Sequence, residues 1–144
     1  MSEINLQETE NTHLIIIASF PKARATDLFS HFTEADKLTK WWPQEAKTDP
    51  RTGGALHLSW PAMKWHLRGT FETFEPAKRL VFTWQWDHDP VEPKRVEITI
   101  EEKPEGATVT LKHGHYVSSD EDQKRRQEHI DGWNHFLGEL SKLL

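Results

Sequence analysis

The 144 residues contain no cysteine. Disulfide scaffolds, thiolate zinc sites and cysteine nucleophiles are therefore excluded. Basic charge is in the minority, with 18 Lys and Arg against 23 Asp and Glu and a formal net charge of −5. An acidic chain without a basic run is poorly suited to gripping a phosphate backbone, so no nucleic-acid partner is expected. Long apolar runs are missing as well. The longest unbroken one is residues 14–18, far short of the roughly 20 residues that a membrane span needs. The mean hydropathy of −0.75 agrees, and no membrane insertion is expected. Residues 1–11 are polar and acidic and read as neither a signal nor a transit peptide; a cytoplasmic location is the expectation. Tyrosine occurs once, whereas Trp and Phe occur seven times each. Indole N–H groups want partners when buried, so seven Trp suggest a purpose beyond filling a core.

The length fits one domain. The expected division is a flexible arm over residues 1–11 and a single domain over residues 12–144. Residues 13–20 (His-Leu-Ile-Ile-Ile-Ala-Ser-Phe) are short and β-branched and read as a strand, with Leu14, Ile16, Ala18 and Phe20 on one face. Pro21 ends it. Ala25, Leu28, Phe29 and Phe32 follow at helical spacing, and a second short helix runs to Trp41. Beyond Gly53 and Gly54 the chain alternates apolar and polar residues in a series of strands. Gly69 marks a bulge or a close backbone approach. Each strand has one apolar face, which fits an antiparallel sheet covered on one side. The covering element is a long helix after Ser119, with Ile130, Trp133, Leu137, Leu140 and Leu144 in one stripe. Gly132 and Gly138 weaken it and suggest close approach to a neighbour. The expected fold class is α+β: a curved antiparallel sheet wrapped around a long C-terminal helix, with two short helices after the first strand.

That order resembles the helix-grip fold of the START-like (SRPBCC) superfamily. Lys40, Trp41 and Trp42 after the second helix, the Gly53–Gly54 pair, residues 69–84 (Gly-Thr-Phe-Glu-Thr-Phe-Glu-Pro-Ala-Lys-Arg-Leu-Val-Phe-Thr-Trp), and Gly132 with Trp133 look like the activator of Hsp90 ATPase homologue family. The resemblance implies a cavity between sheet and helix. It also implies one of three functions: binding of an apolar or aromatic small molecule, service to a protein partner as in the chaperone-activating relatives, or cyclase- or hydrolase-like chemistry in the same cavity.

Alternation places Trp60 with Leu56 and Leu58, Trp65 with Leu67, and Trp84 and Trp86 with Leu80 and Phe82. If those faces are concave, the four rings converge with Trp133 on one interior. They then either line a pocket or fill it. Trp41 and Trp42 precede a proline; one gates the mouth, an exposed one serves a partner surface, or both are core. His113 and His115 share a face, which is how some metal sites begin, but no spacing supplies a third ligand among His66, Asp87 and His129. A neutral His113 is better read as a polar anchor for a ligand. Arg68 falls on the face opposite the cavity. Asp120–Asp122 ahead of Lys124–Arg126 suggests the i,i+4 pairs Glu121–Arg125 and Asp122–Arg126 on a solvated helix face. No nucleophile triad, phosphate loop or paired-carboxylate frame is present. The expected function is therefore ligand binding without catalysis, metal or cofactor. Its site is Trp41, Trp42, Trp60, Trp65, Trp84, Trp86, His113 and Trp133.

Overall fold

The computed structural model describes residues 3–144. Met1 and Ser2, the start of the expected arm, lie outside the described residues. The rest of that stretch carries a strand: β1 (Glu3–Leu6) pairs antiparallel with β2 (His13–Phe20). Four mostly exposed residues without alternation give no sequence signal for it. Two helices follow, α1 (Ala25–Thr33) and the single turn α2 (Ala35–Leu38). Then come β3 (Glu45–Thr48), β4 (Ala55–Trp60), β5 (Trp65–Glu75), β6 (Arg79–Trp86), β7 (Asp89–Lys103), β8 (Gly106–Gly114) and the long helix α3 (Asp120–Ser141). All eight strands form one antiparallel sheet in the order β1-β2-β8-β7-β6-β5-β4-β3. The sheet is curved and open, and α3 lies in its concavity; this is the helix-grip fold. Among the described residues no helix is long and apolar enough to cross a membrane.

Period-two alternation decides which side chains face α3. In β2, Leu14, Ile16, Ala18 and Phe20 are fully buried, and in β8 so are Val109, Leu111 and His113. Their antiparallel register sets Ile16 beside Leu111 and Leu14 beside His113. α3 answers with Ile130, Trp133, Leu137 and Leu140, all buried. Ser119 caps this helix, its hydroxyl accepting from the Asp122 amide at 3.2 Å, and acids occupy the first turn, where the dipole favours them.

Gly69 makes the close approach, while the bulge comes later, between Phe71 and Thr73. A Cβ at Gly69 would stand 1.9 Å from the Thr83 carbonyl oxygen, a backbone atom of β6 that cannot swing aside. Gly69→Ala is expected to lose at least about 1–3 kcal/mol through forced backbone shifts. A urea midpoint equal to that of the parent would show that β5 and β6 separate there at no cost. Gly132 and Gly138 behave differently from expectation. Nothing lies within 4 Å of a Cβ at either position, so neither admits a close neighbour.

Candidate functional site

Between α3 and the β4–β6 end of the sheet lies a cavity of about 510 Å³. Six of the seven Trp line it: Trp42, Trp60, Trp65, Trp84, Trp86 and Trp133. Strand alternation brings them there. Trp60 ends β4, and Trp65 begins β5 directly opposite it in register. Trp84 and Trp86 are inward neighbours on β6, separated by a register shift against β7. Trp133 descends from α3, and Trp42 enters from the segment after α2. The rings contact one another around the space. Trp42 stacks on Trp84 at 5.8 Å between centroids and lies 4.9 Å from Trp133; Trp60 lies 5.3 Å from Trp86. The rings therefore form walls and do not interlock through the middle. Gly132 is part of the reason, since it faces the cavity and a side chain there would occupy it.

Two expected residues do not reach this wall. Trp41 is buried behind Trp42, stacked on it at 5.6 Å, and its indole N–H donates to the His31 carbonyl at 2.9 Å. It joins α1 to the core and gates nothing. Neither Trp41 nor Trp42 is an exposed partner surface; both are buried. His113 is fully buried one layer too deep. Trp133 covers it and donates its indole N–H to Nδ1 at 3.0 Å. Burial, then the neighbouring His129 and Lys94, push the His113 pKa well below the usual imidazole range, so the ring is neutral. His115 turns away to pack edge-on against His13 at 5.5 Å. Among the described residues no three His, Asp or Glu side chains are grouped to hold a metal ion.

Two histidines line the cavity, the exposed His88 and the buried His129 of α3. The His129 ring lies parallel to that of His113 at 4.6 Å, and its Nδ1 meets the buried Tyr116 hydroxyl at 2.6 Å. Burial, then the Lys94 and Arg125 cations, lower its pKa to about 3. Burial raises the pKa of Tyr116, with Asp122 adding to the effect, so the phenol stays protonated. The signal that could have found His129 is helical spacing. Arg125, His129, Gly132, Trp133 and Phe136 recur at three and four along α3 and all line the cavity.

Beside His129 is an ionic cluster, buried at Lys94 and Asp122 and half-buried at Arg125 and Asp89. Lys94 Nζ donates to the Asp122 carboxylate at 3.1 Å and to the His115 carbonyl at 2.8 Å. Arg125 grips Asp89 with two bonds, at 2.6 and 3.0 Å, and also reaches Asp122. The expected pairs Glu121–Arg125 and Asp122–Arg126 do not form. Arg125 turns inward to Asp89 on β7, and Arg126 donates to the His13 carbonyl and the Thr9 hydroxyl. This face of α3 is thus tied to the sheet and is not a solvated face. Arg68 lies on the far side of the sheet, as expected, paired with Asp87 at 2.9 Å.

Solved structures share this architecture. Protein MLL2253 from Mesorhizobium loti superimposes with a TM-score of 0.80 at 21% identity, over 91% of this chain and 95% of that one. CalU16 from Micromonospora echinospora gives 0.69 at 22%, over 98% and 86%. DynU16, of the dynemicin biosynthetic locus, gives 0.77 at 18%; 91% of this chain matches 46% of that longer one. At these identities the likeness is one of fold. No curated protein matches the chain. The family model described as Activator of Hsp90 ATPase homolog 1-like protein matches residues 22–144, so the chain belongs to that family.

Proposed function

We propose that the protein binds an apolar or aromatic small molecule in the cavity between sheet and α3, and carries out no chemistry on it. The observation that supports this reading most strongly is the cavity itself, about 510 Å³ and walled by six Trp. Drug-sized ligands occupy spaces of that order, lined mainly by aromatic groups with a few polar ones. Flat rings would lie against the Trp walls of the space, while exposed Met63 and Trp65 form an apolar entrance. The occupants of such a fold include small molecules and protein partners; an inward-facing aromatic wall suits the small molecule.

Gly132 supplies the test. Bicyclic aromatic ligands should quench the Trp fluorescence saturably and raise the melting temperature with ligand concentration, since only binding to the native state does so. Gly132→Leu should weaken both responses by occupying part of the cavity. It should also leave the free protein no less stable, because leucine is favoured over glycine in a helix by about 1 kcal/mol. An undiminished response in Gly132→Leu would place binding elsewhere.

A further inference from the structure

Three aromatic rings meet where α3 crosses β6 and β8: Trp84, His113 and His129, with centroids 4.6 to 5.1 Å apart. Each brings an N–H group, and none of the three has an acceptor among the described residues. Trp84 Nε1 is buried without a partner, and so is His113 Nε2. An indole can only donate, so the bond from Trp133 makes His113 Nδ1 the acceptor. The His113 proton therefore sits on the orphaned Nε2. For His129 a phenol can donate or accept, and donation to Nδ1 is the arrangement that gives the buried Tyr116 hydrogen an acceptor. The Tyr116 hydroxyl has one hydrogen to donate and meets His129 Nδ1 alone. Nδ1 accepts that hydrogen, which leaves the His129 proton on Nε2. That nitrogen has no protein partner and is not sealed in, and His129 belongs to the cavity wall. Buried donors without acceptors are rare and costly. The Trp84 and His113 donors are sealed behind the wall, and the one open to the cavity is on His129.

The charge beside it is balanced. Lys94 and Arg125 are each matched, by Asp122 and Asp89, and Glu128 adds a further carboxylate to the wall. A free anion would meet no net positive charge there.

We infer that the cavity selects aromatic compounds bearing a neutral carbonyl oxygen, which accepts a hydrogen bond from His129 Nε2–H while the rings lie among the Trp side chains. This rests on the reading of the cavity as a ligand site. Tyr116 is a positioning residue that fixes the imidazole tautomer from behind.

The experiment compares 1-tetralone with tetralin, which differ by one C=O group. Dissociation constants come from Trp quenching on the wild type and on His129→Phe, which keeps a ring of similar size and deletes the N–H. The preference for the ketone over the hydrocarbon should fall at least about tenfold in His129→Phe, with tetralin binding little changed. On the wild type, the infrared C=O stretch of bound tetralone should lie below its position in hexane. That readout requires no variant, so it stands even if His129→Phe folds poorly. An unchanged preference, or a stretch at the hexane position, with both compounds bound, overturns the carbonyl inference and leaves the binding reading intact. Failure of both compounds to bind the wild type overturns both.

Discussion

Asp122→Ala is expected to cost about 3–5 kcal/mol, the range for breaking a buried ion pair from one side. Both partners of the Lys94–Asp122 pair have side chains only 7% exposed. Burial acts to raise the Asp122 pKa, but the Val117 amide, Lys94 and Arg125 together outweigh it and hold the carboxyl below its usual range. Removing the carboxylate strands the Lys94 ammonium over the Tyr116 ring, 4.4 Å from its centroid, with only the His115 carbonyl left as an acceptor. It also leaves the Val117 amide without its acceptor, 2.6 Å away in the parent. The helix cap is not the cause, because the Asp122 backbone amide still donates to Ser119. A loss this large is a sizeable fraction of the about 5–15 kcal/mol that holds a domain folded. Urea unfolding with an unchanged slope and a much lower midpoint would establish it. Lys94→Met combined with Asp122→Leu should recover much of the loss, since neither residue then leaves an unpaired buried charge. A single-variant loss below about 1 kcal/mol would mean that the pair behaves like an exposed one.

The second large effect is acid sensitivity. His113 and His129 both have folded-state pKa values below the unfolded value near 6.5, His129 at about 3. The groups facing His129 are Tyr116, His113, Lys94 and Arg125, with Asp122 and Asp89 opposing the cations; burial leads the shift. Above pH 6.5 neither state of either histidine takes a proton, and stability is flat with respect to them. As pH falls from 6.5 toward 3, the unfolded chain binds protons that the folded chain refuses. Stability then drops by about 1.4 kcal/mol per pH unit for each histidine. Two such groups give about 2.7 kcal/mol per unit, enough to unfold the protein by moderately acid pH. Asp89 and Asp122, whose pKa values are lowered, add to the loss at still lower pH. Unfolding free energies at pH 7.5, 6.5, 5.5 and 4.5 check this. His129→Phe should be less stable at neutral pH, because the Tyr116 hydroxyl loses its acceptor, yet show about half the slope. An unchanged slope in the variant would remove His129 from the account.

Much of the fold was legible because apolar periodicity is a local property. Leu80, Phe82, Trp84 and Trp86 face one way on β6 by alternation alone, and Ile130, Trp133, Leu137 and Leu140 mark the inner stripe of α3. The two edge strands were not legible. Glu3–Leu6 and Glu45–Thr48 are four residues each and mostly exposed, so burial leaves little pattern in them. The site was legible to the level of a face and no further. His113 and Trp84 both point inward, but depth within the concavity depends on what lies above, and Trp133 lies above His113. His129 was hidden by its type, since a histidine on a helix stripe reads as ordinary until its neighbours are known. The ion pairs failed for a related reason. Local spacing favours Glu121–Arg125, yet Asp89, distant in sequence, offers Arg125 a half-buried bidentate partner. A rule based on neighbours four residues apart cannot see it.

The strand order also shapes how the chain must assemble. β2 is complete at residue 20, yet its inner neighbour is β8, which ends at Gly114. Nearly a hundred residues must be ordered before that seam closes, and pairings of such wide separation make folding slow. β4 to β8 each pair with the strand before, so a meander of hairpins can form first. Until α3 follows, that meander presents its tryptophan-rich side to water. During synthesis the nascent sheet is thus at its stickiest just before the helix arrives, and association between partly made chains competes most strongly in that interval.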